Sequence, residues 1–99
     1  MKLHIALAQI NTHLGDPDAN LEKHLAYIKQ ASDSGADLLI FPELSLTGYA
    51  LQDLASAVAH RPTADDRIFA PLLKASKKCD LVVGFVDEDS RHRFYIAAA

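Results

Sequence analysis

Leu38-Leu39-Ile40-Phe41-Pro42-Glu43-Leu44-Ser45-Leu46-Thr47-Gly48-Tyr49 carries an unbroken apolar run into a proline and then onto a single carboxylate. Four consecutive large apolar residues read as a strand buried on both faces, the pattern of a parallel sheet. Pro42 stops it, because a residue without an N–H cannot donate to a central ladder. Glu43 is thereby left at the mouth of a core, where low polarity suits a carboxylate to accept a proton near neutral pH. The ordinary alternative is a solvated loop residue or a partner for an arginine.

The residues before this stretch supply its frame. Leu3 to Ile10 alternate loosely and predict a first strand, and Asn11 to Asp18, with Gly15 and Pro17, predict a loop. Leu21, Leu25, Ile28 and Ala31 recur at intervals of three and four, placing one apolar stripe on a helix. Asp16-Pro17 and Asp18-Ala19-Asn20 both offer start signals, and Gly35 supplies the left-handed residue that ends many helices. Strand, helix and strand in this order make a β-α-β unit with parallel pairing. Glu43 then lies at the carboxyl end of its strand, where open α/β sheets bind ligands.

Beyond the stretch, Gly48 is placed to permit a turn, and Asp53 to Ala59 have the composition of a short helix. Pro71 is tolerated only near a helix start, so the next helix is expected from about Ile68 to Lys78, with Thr63-Ala64-Asp65-Asp66 resembling a capping box upstream. Leu81 to Val86 predict one buried strand in which Gly84 marks a close approach by another backbone or side chain. Asp87 to Arg93 predict a solvated hairpin turn with cross-strand ion pairs, and Phe94 to Ala99 its returning strand.

Phe-Pro-Glu-Leu-Ser-Leu-Thr-Gly-Tyr, together with Ile5 to Gln9, Asn20-Leu21-Glu22-Lys23 and Val82-Val83-Gly84-Phe85, resembles the N-terminal part of the nitrilase superfamily of carbon–nitrogen hydrolases. The resemblance runs through nearly the whole chain. It implies an α/β fold, the four-layer α-β-β-α sandwich, with residues 1–99 as the N-terminal part of a single carbon–nitrogen hydrolase domain and about its first third. In that family a Glu takes the proton of a Cys thiol, the thiolate attacks a nitrile or amide carbon, and a Lys supports the charge that develops. By position Glu43 corresponds to the Glu, whereas the motifs carrying Lys and Cys normally come later than Ala99. The Tyr of Leu-Thr-Gly-Tyr lies near the substrate pocket in amide-hydrolysing members, which makes Tyr49 a candidate contact; a packed aromatic with a satisfied hydroxyl is the equal alternative. Ser45 and Thr47 are candidates to orient the Glu43 loop through bonds to the backbone.

The pattern is most similar to amidases and to the glutamine-hydrolysing domain of NAD synthetases. A small-molecule amide is the implied substrate, neither metal nor cofactor is required, and homo-oligomers are usual. A chain without the Lys and Cys also admits a reading of another class, a non-catalytic binding module or a truncated piece, and by itself is expected to be inactive.

Composition narrows the field. A net charge of −3, with acids and bases interspersed over 99 residues, provides no basic stripe for nucleic acid. The apolar run at the N-terminus is too short to span a membrane and, interrupted by His4 and Gln9, makes a poor signal peptide, so a cytoplasmic protein is expected. The one cysteine, Cys79, forms no internal disulfide and lies outside any nucleophile motif, so it reads as a half-buried structural thiol. His4, His13, His24, His60 and His92 lack the spacing of a zinc site, with His92 beside Asp87 and Asp89 a weak exception. Gly15 stands alone, so a phosphate-binding glycine loop has no support.

Overall fold

The structure, a computed structural model, describes residues 2–48 and 59–99. β1 (Ile5–Leu7), β2 (Leu38–Ile40) and β3 (Asp80–Val82) form a parallel sheet in the order β1-β2-β3. β4 (Gly84–Glu88) and β5 (Phe94–Ala98) form an antiparallel hairpin. α1 (Pro17–Asp33) connects β1 to β2, and α2 (Phe69–Ala75) precedes β3.

Local chemistry sets the limits of α1. The Asp16 carboxylate accepts the Ala19 N–H at 3.0 Å with Pro17 in the first helical position, so the first of the two start signals is the one used. At the other end Gly35 has φ +83°, and the N–H groups of Gly35 and Ala36 donate to the carbonyls of Ser32 and Ala31, closing the helix as a Schellman motif. α1 buries Leu21, Ile28 and Ala31 against Leu39 and Phe41 of the β2 segment and Phe69 and Leu72 of α2. Leu25 packs at the margin.

The opposite face of the sheet is open among the described residues, with Leu3, Ile5 and Leu7 exposed by 67, 52 and 74%. One helical layer on one sheet layer is half of an α-β-β-α sandwich, and the bare apolar face is the one that meets a second sheet in such a fold.

Three expectations change. The first strand spans three residues rather than eight: Ala8 N–H donates to Ile40 O, and beyond that point β2 turns away at Pro42 and leaves β1 without a partner. The capping box at Thr63 is replaced by Asp66, whose carboxylate accepts the N–H groups of Ile68 and Phe69 at 2.9 and 3.1 Å while holding His60 Nδ1 at 2.9 Å. The single strand expected from Leu81 to Val86 divides at Val83, which leaves the parallel sheet and exchanges two hydrogen bonds with Ala99. The hairpin forms as expected, but its turn is shorter, because Asp87 and Glu88 still pair with Tyr95 and Phe94 in the ladder; Arg93 Nε lies on Asp89 at 2.7 Å and His92 Nδ1 on Glu88 at 2.8 Å. The short helix expected over 53–59 lies, apart from Ala59, outside the described residues. No helix among the described residues is long and apolar enough to cross a membrane.

Leu39 is the central inward residue of the middle strand and is 2% exposed. Leu39→Ala is expected to lower unfolding stability by about 2–5 kcal/mol, read from denaturant titration of the intact protein.

Candidate active site

Glu43 stands three residues beyond the end of β2, at the carboxyl edge shared by all three parallel strands. Two open clefts of about 340 and 370 Å³ meet at it. One is walled by Val82, Val83, Gly84 and the end of β5, the other by Asn11, Thr12, Leu44 and Gly48. Its side chain is exposed, so the low-polarity surroundings expected from the sequence are not supplied by the described residues. Among the described residues Glu43 has no ion-pair partner, and its place in a concave site at a strand end suits it to meet a group brought there.

The turn that carries Glu43 is held from below. Ser45 N–H donates to Pro42 O, Thr47 and Gly48 N–H to Leu44 O, and Leu46 N–H to Gly84 O at 3.0 Å. Leu44 is buried with φ +50°, a left-handed conformation that costs a non-glycine residue about 1–2 kcal/mol. It persists because Leu44 packs on Val86 and Ala59 while its carbonyl accepts two bonds.

Gly84 explains how the turn comes so close. A Cβ there would lie 2.4 Å from Leu44 N, 2.7 Å from Pro42 O and 2.9 Å from the Glu43 carbonyl carbon. The Glu43 backbone therefore crosses directly over Gly84, the close approach the sequence predicted. Gly48 has φ +85° and packs on Thr12 and Leu14, so it serves the turn as expected.

Beneath the turn lies a polar cluster. Asn20, His24 and Ser45 are each 0% exposed. Asn20 accepts His13 N–H and donates to the carbonyls of His13 and Leu46, so its amide is fully used. His24 Nδ1 lies 2.7 Å from Asn20 O, which can only accept, so Nδ1 carries the proton. Nε2 is then the acceptor for Ser45 Oγ–H at 2.9 Å, and Ser45 Oγ in turn accepts Gly84 N–H at 3.1 Å. The ring also stacks on Phe41 with centroids 4.1 Å apart. Burial pushes His24 below the ordinary histidine value, with the Asn20 bond opposing, and keeps the imidazole neutral.

From the sequence, Glu43 and Ser45 are candidates at this turn, whereas His24 enters only among possible metal ligands and Asn20 only as a helix-start residue and part of the family pattern. Their signal was available: positions 20, 24, 28 and 31 continue the buried face of α1, and two of them are polar. Thr47 Oγ1 bonds the Gly48 carbonyl at 3.2 Å. Tyr49 lies outside the described residues. Cys79 is 3% exposed at the amino end of β3, the opposite edge from Glu43, and burial with Asp80 and Asp37 nearby pushes its thiol up. It is a structural thiol. Among the described residues, no lysine or cysteine lines either cleft at Glu43.

The sequence profile described as "Carbon-nitrogen hydrolase" matches residues 4–97. Among curated relatives, the glutamine-dependent NAD(+) synthetase of Acinetobacter baylyi is 38% identical over 97 residues, covering 95% of this chain and 17% of its own length. The chain thus spans about a sixth of that relative. Among solved structures, the glutamine-dependent NAD+ synthetase of Acinetobacter baumannii, in complex with ADP, superposes with TM-score 0.72 at 35% identity, covering 96% of this chain and 18% of that one. A glutamate-to-glutamine variant of an amidase from Nesterenkonia sp. AN1, with acrylamide added to its active-site cysteine, superposes with TM-score 0.80 at 25% identity over 98% of this chain and 38% of that one.

Gly84→Ala is expected to displace the turn and cost about 1–3 kcal/mol, since neither backbone can yield without losing its bonds; thermal denaturation measures it. Because the fold lowers the affinity of His24 for a proton, the unfolded chain binds that proton first on acidification. Stability from this site is complete above the ordinary value of 6.5 and declines as pH falls below it. Urea titrations between pH 7.5 and 5 should show this slope, and His24→Gln should flatten it.

Proposed function

Since the chain belongs to the carbon–nitrogen hydrolase family, we propose that its protein hydrolyses a non-peptide carbon–nitrogen bond of a small amide, with Glu43 as the proton acceptor. The observation that carries the reading is the position of Glu43, held by the turn over Gly84 at the carboxyl edge of the parallel sheet. In this reading residues 1–99 are the N-terminal part of a single hydrolase domain. By resemblance to the family, the cysteine and lysine of the mechanism come after them, which accords with the clefts at Glu43, lined by neither residue type among the described residues. Glu43 takes the thiol proton, the thiolate adds to the amide carbon, and the lysine supports the oxyanion. The amine departs with the proton returned from Glu43, leaving a thioester. Glu43 then deprotonates the water that releases the acid and frees the thiol.

A homo-oligomeric, cytoplasmic enzyme accompanies the proposal, the first on family grounds and the second in keeping with a single cysteine. The likeness to glutamine-dependent NAD synthetases over nearly the whole chain favours a second, narrower reading. The amide would then be glutamine, and the ammonia released would be passed to an ATP-dependent amidation.

In the intact protein Glu43→Gln is expected to lower amide hydrolysis by about 100- to 10,000-fold, the usual contribution of a general base. Activity within the wild-type range would remove Glu43 from the role. Glutamine hydrolysis coupled to ATP-dependent amidation would select the narrower reading; acid released from simple amides without ATP would select a stand-alone amidase.

A further inference from the structure

We propose that His24 is a positioning residue for Glu43, acting through Ser45 to hold the turn against Gly84. The inference rests on the reading of Glu43 as proton acceptor and extends it to a side chain on α1 that lines neither cleft at Glu43.

The chemistry of the buried face points to this role. If α1 required only packing at this position, an aliphatic side chain would fill the space without desolvating two ring nitrogens, a cost that buried polar groups bear unless they are hydrogen-bonded. The imidazole offsets that cost with two directed bonds, and their directions are informative. Nδ1–H is anchored on Asn20 O of the same helix, which fixes the tautomer and the ring plane. Nε2 then presents one lone pair, and Ser45 Oγ–H occupies it. With its proton committed, the Ser45 oxygen is oriented to accept Gly84 N–H, from the strand that the Glu43 turn crosses. Asn20, one turn earlier on the same helix, binds Leu46 O on the far side of Ser45. The turn is therefore gripped at residues 45 and 46 by two adjacent side chains of α1. The stack of the ring on Phe41 adds contact with the residue that enters the turn.

Glu43 is two residues from Ser45 and is joined to it through the left-handed Leu44. A conformation of that kind relaxes unless its neighbours over-determine it. Loss of the His24 bond frees Ser45 Oγ, loosens the hold on Gly84, and lets the Glu43 carboxylate move away from its place at the strand end. Displacement of about 1 Å at a reacting group costs on the order of 100-fold in rate.

The test is steady-state amide hydrolysis by the intact protein carrying His24→Asn, His24→Gln, Ser45→Ala and the pair His24→Asn with Ser45→Ala. Asn places its amide near Nδ1 and cannot reach Ser45, whereas Gln places its amide near Nε2 and can. The expected result is a fall in kcat of about 100-fold for His24→Asn with KM little changed. His24→Gln should restore most of the loss, and the paired variant should be no slower than the slower single one. Wild-type kcat in His24→Asn, a change confined to KM, or losses that multiply in the pair would overturn the proposal. If His24→Asn does not fold, Ser45→Ala decides, because it deletes one hydroxyl: unchanged kcat overturns the proposal and a kcat-specific loss supports it. Glu43→Gln separates the two readings. Full activity in that variant refutes the general base itself, while its inactivity beside a fully active His24→Asn refutes only the positioning role.

Discussion

The missing Cβ of Gly84 is the constraint on which the rest of this architecture depends. The backbone from Pro42 to Leu44 passes within a space that any side chain at position 84 would fill. That contact lets Leu46 N–H and Ser45 Oγ bond the Gly84 backbone, in place of the neighbouring strand that β2 would otherwise have provided. It also accounts for the division of the apolar run after Cys79. Val82 still belongs to the parallel sheet through Phe41, whereas Val83 pairs with Ala99 and starts the hairpin. The clefts on either side of Glu43 are the spaces left where the turn rises over this crossing.

A polar cluster in the core is costly, and this one is complete. Asn20, His24 and Ser45 have their hydrogen-bonding groups engaged, and among the described residues no buried side-chain nitrogen or oxygen is without a partner. Satisfied networks of this kind rigidify what they join, because each bond fixes the direction of the next. Here the joined parts are α1 and the Glu43 turn. The precision of the turn thus depends on where α1 begins and ends, which the Asp16 cap and the Gly35 motif determine.

Two other features accord with the four-layer sandwich of the family. The sheet face opposite the helices presents Leu3, Ile5 and Leu7, an apolar strip of the kind that meets a second sheet in the four-layer sandwich. Glu43 is exposed, and among the described residues neither cysteine nor lysine lines the clefts beside it. Both fit a chain that spans 17% of the synthetase it resembles at 38% identity.

Much of this was legible in the residues themselves. The apolar run ending at Pro42, the stripe on α1, the stop at Gly35 and the family pattern around Glu43 determined a β-α-β unit with a carboxylate at its carboxyl edge. These signals act over a few residues: a proline lacks its donor and a glycine tolerates positive φ whatever lies elsewhere. Gly84 announced a close approach without naming its neighbour. Only the tertiary structure decided that the neighbour is the Glu43 turn, that His24 and Asn20 are its anchors, and that one apparent strand serves two sheets. Those facts join residues 21 to 39 positions apart, and contacts at such separations follow from how helix and strands pack together rather than from any local preference.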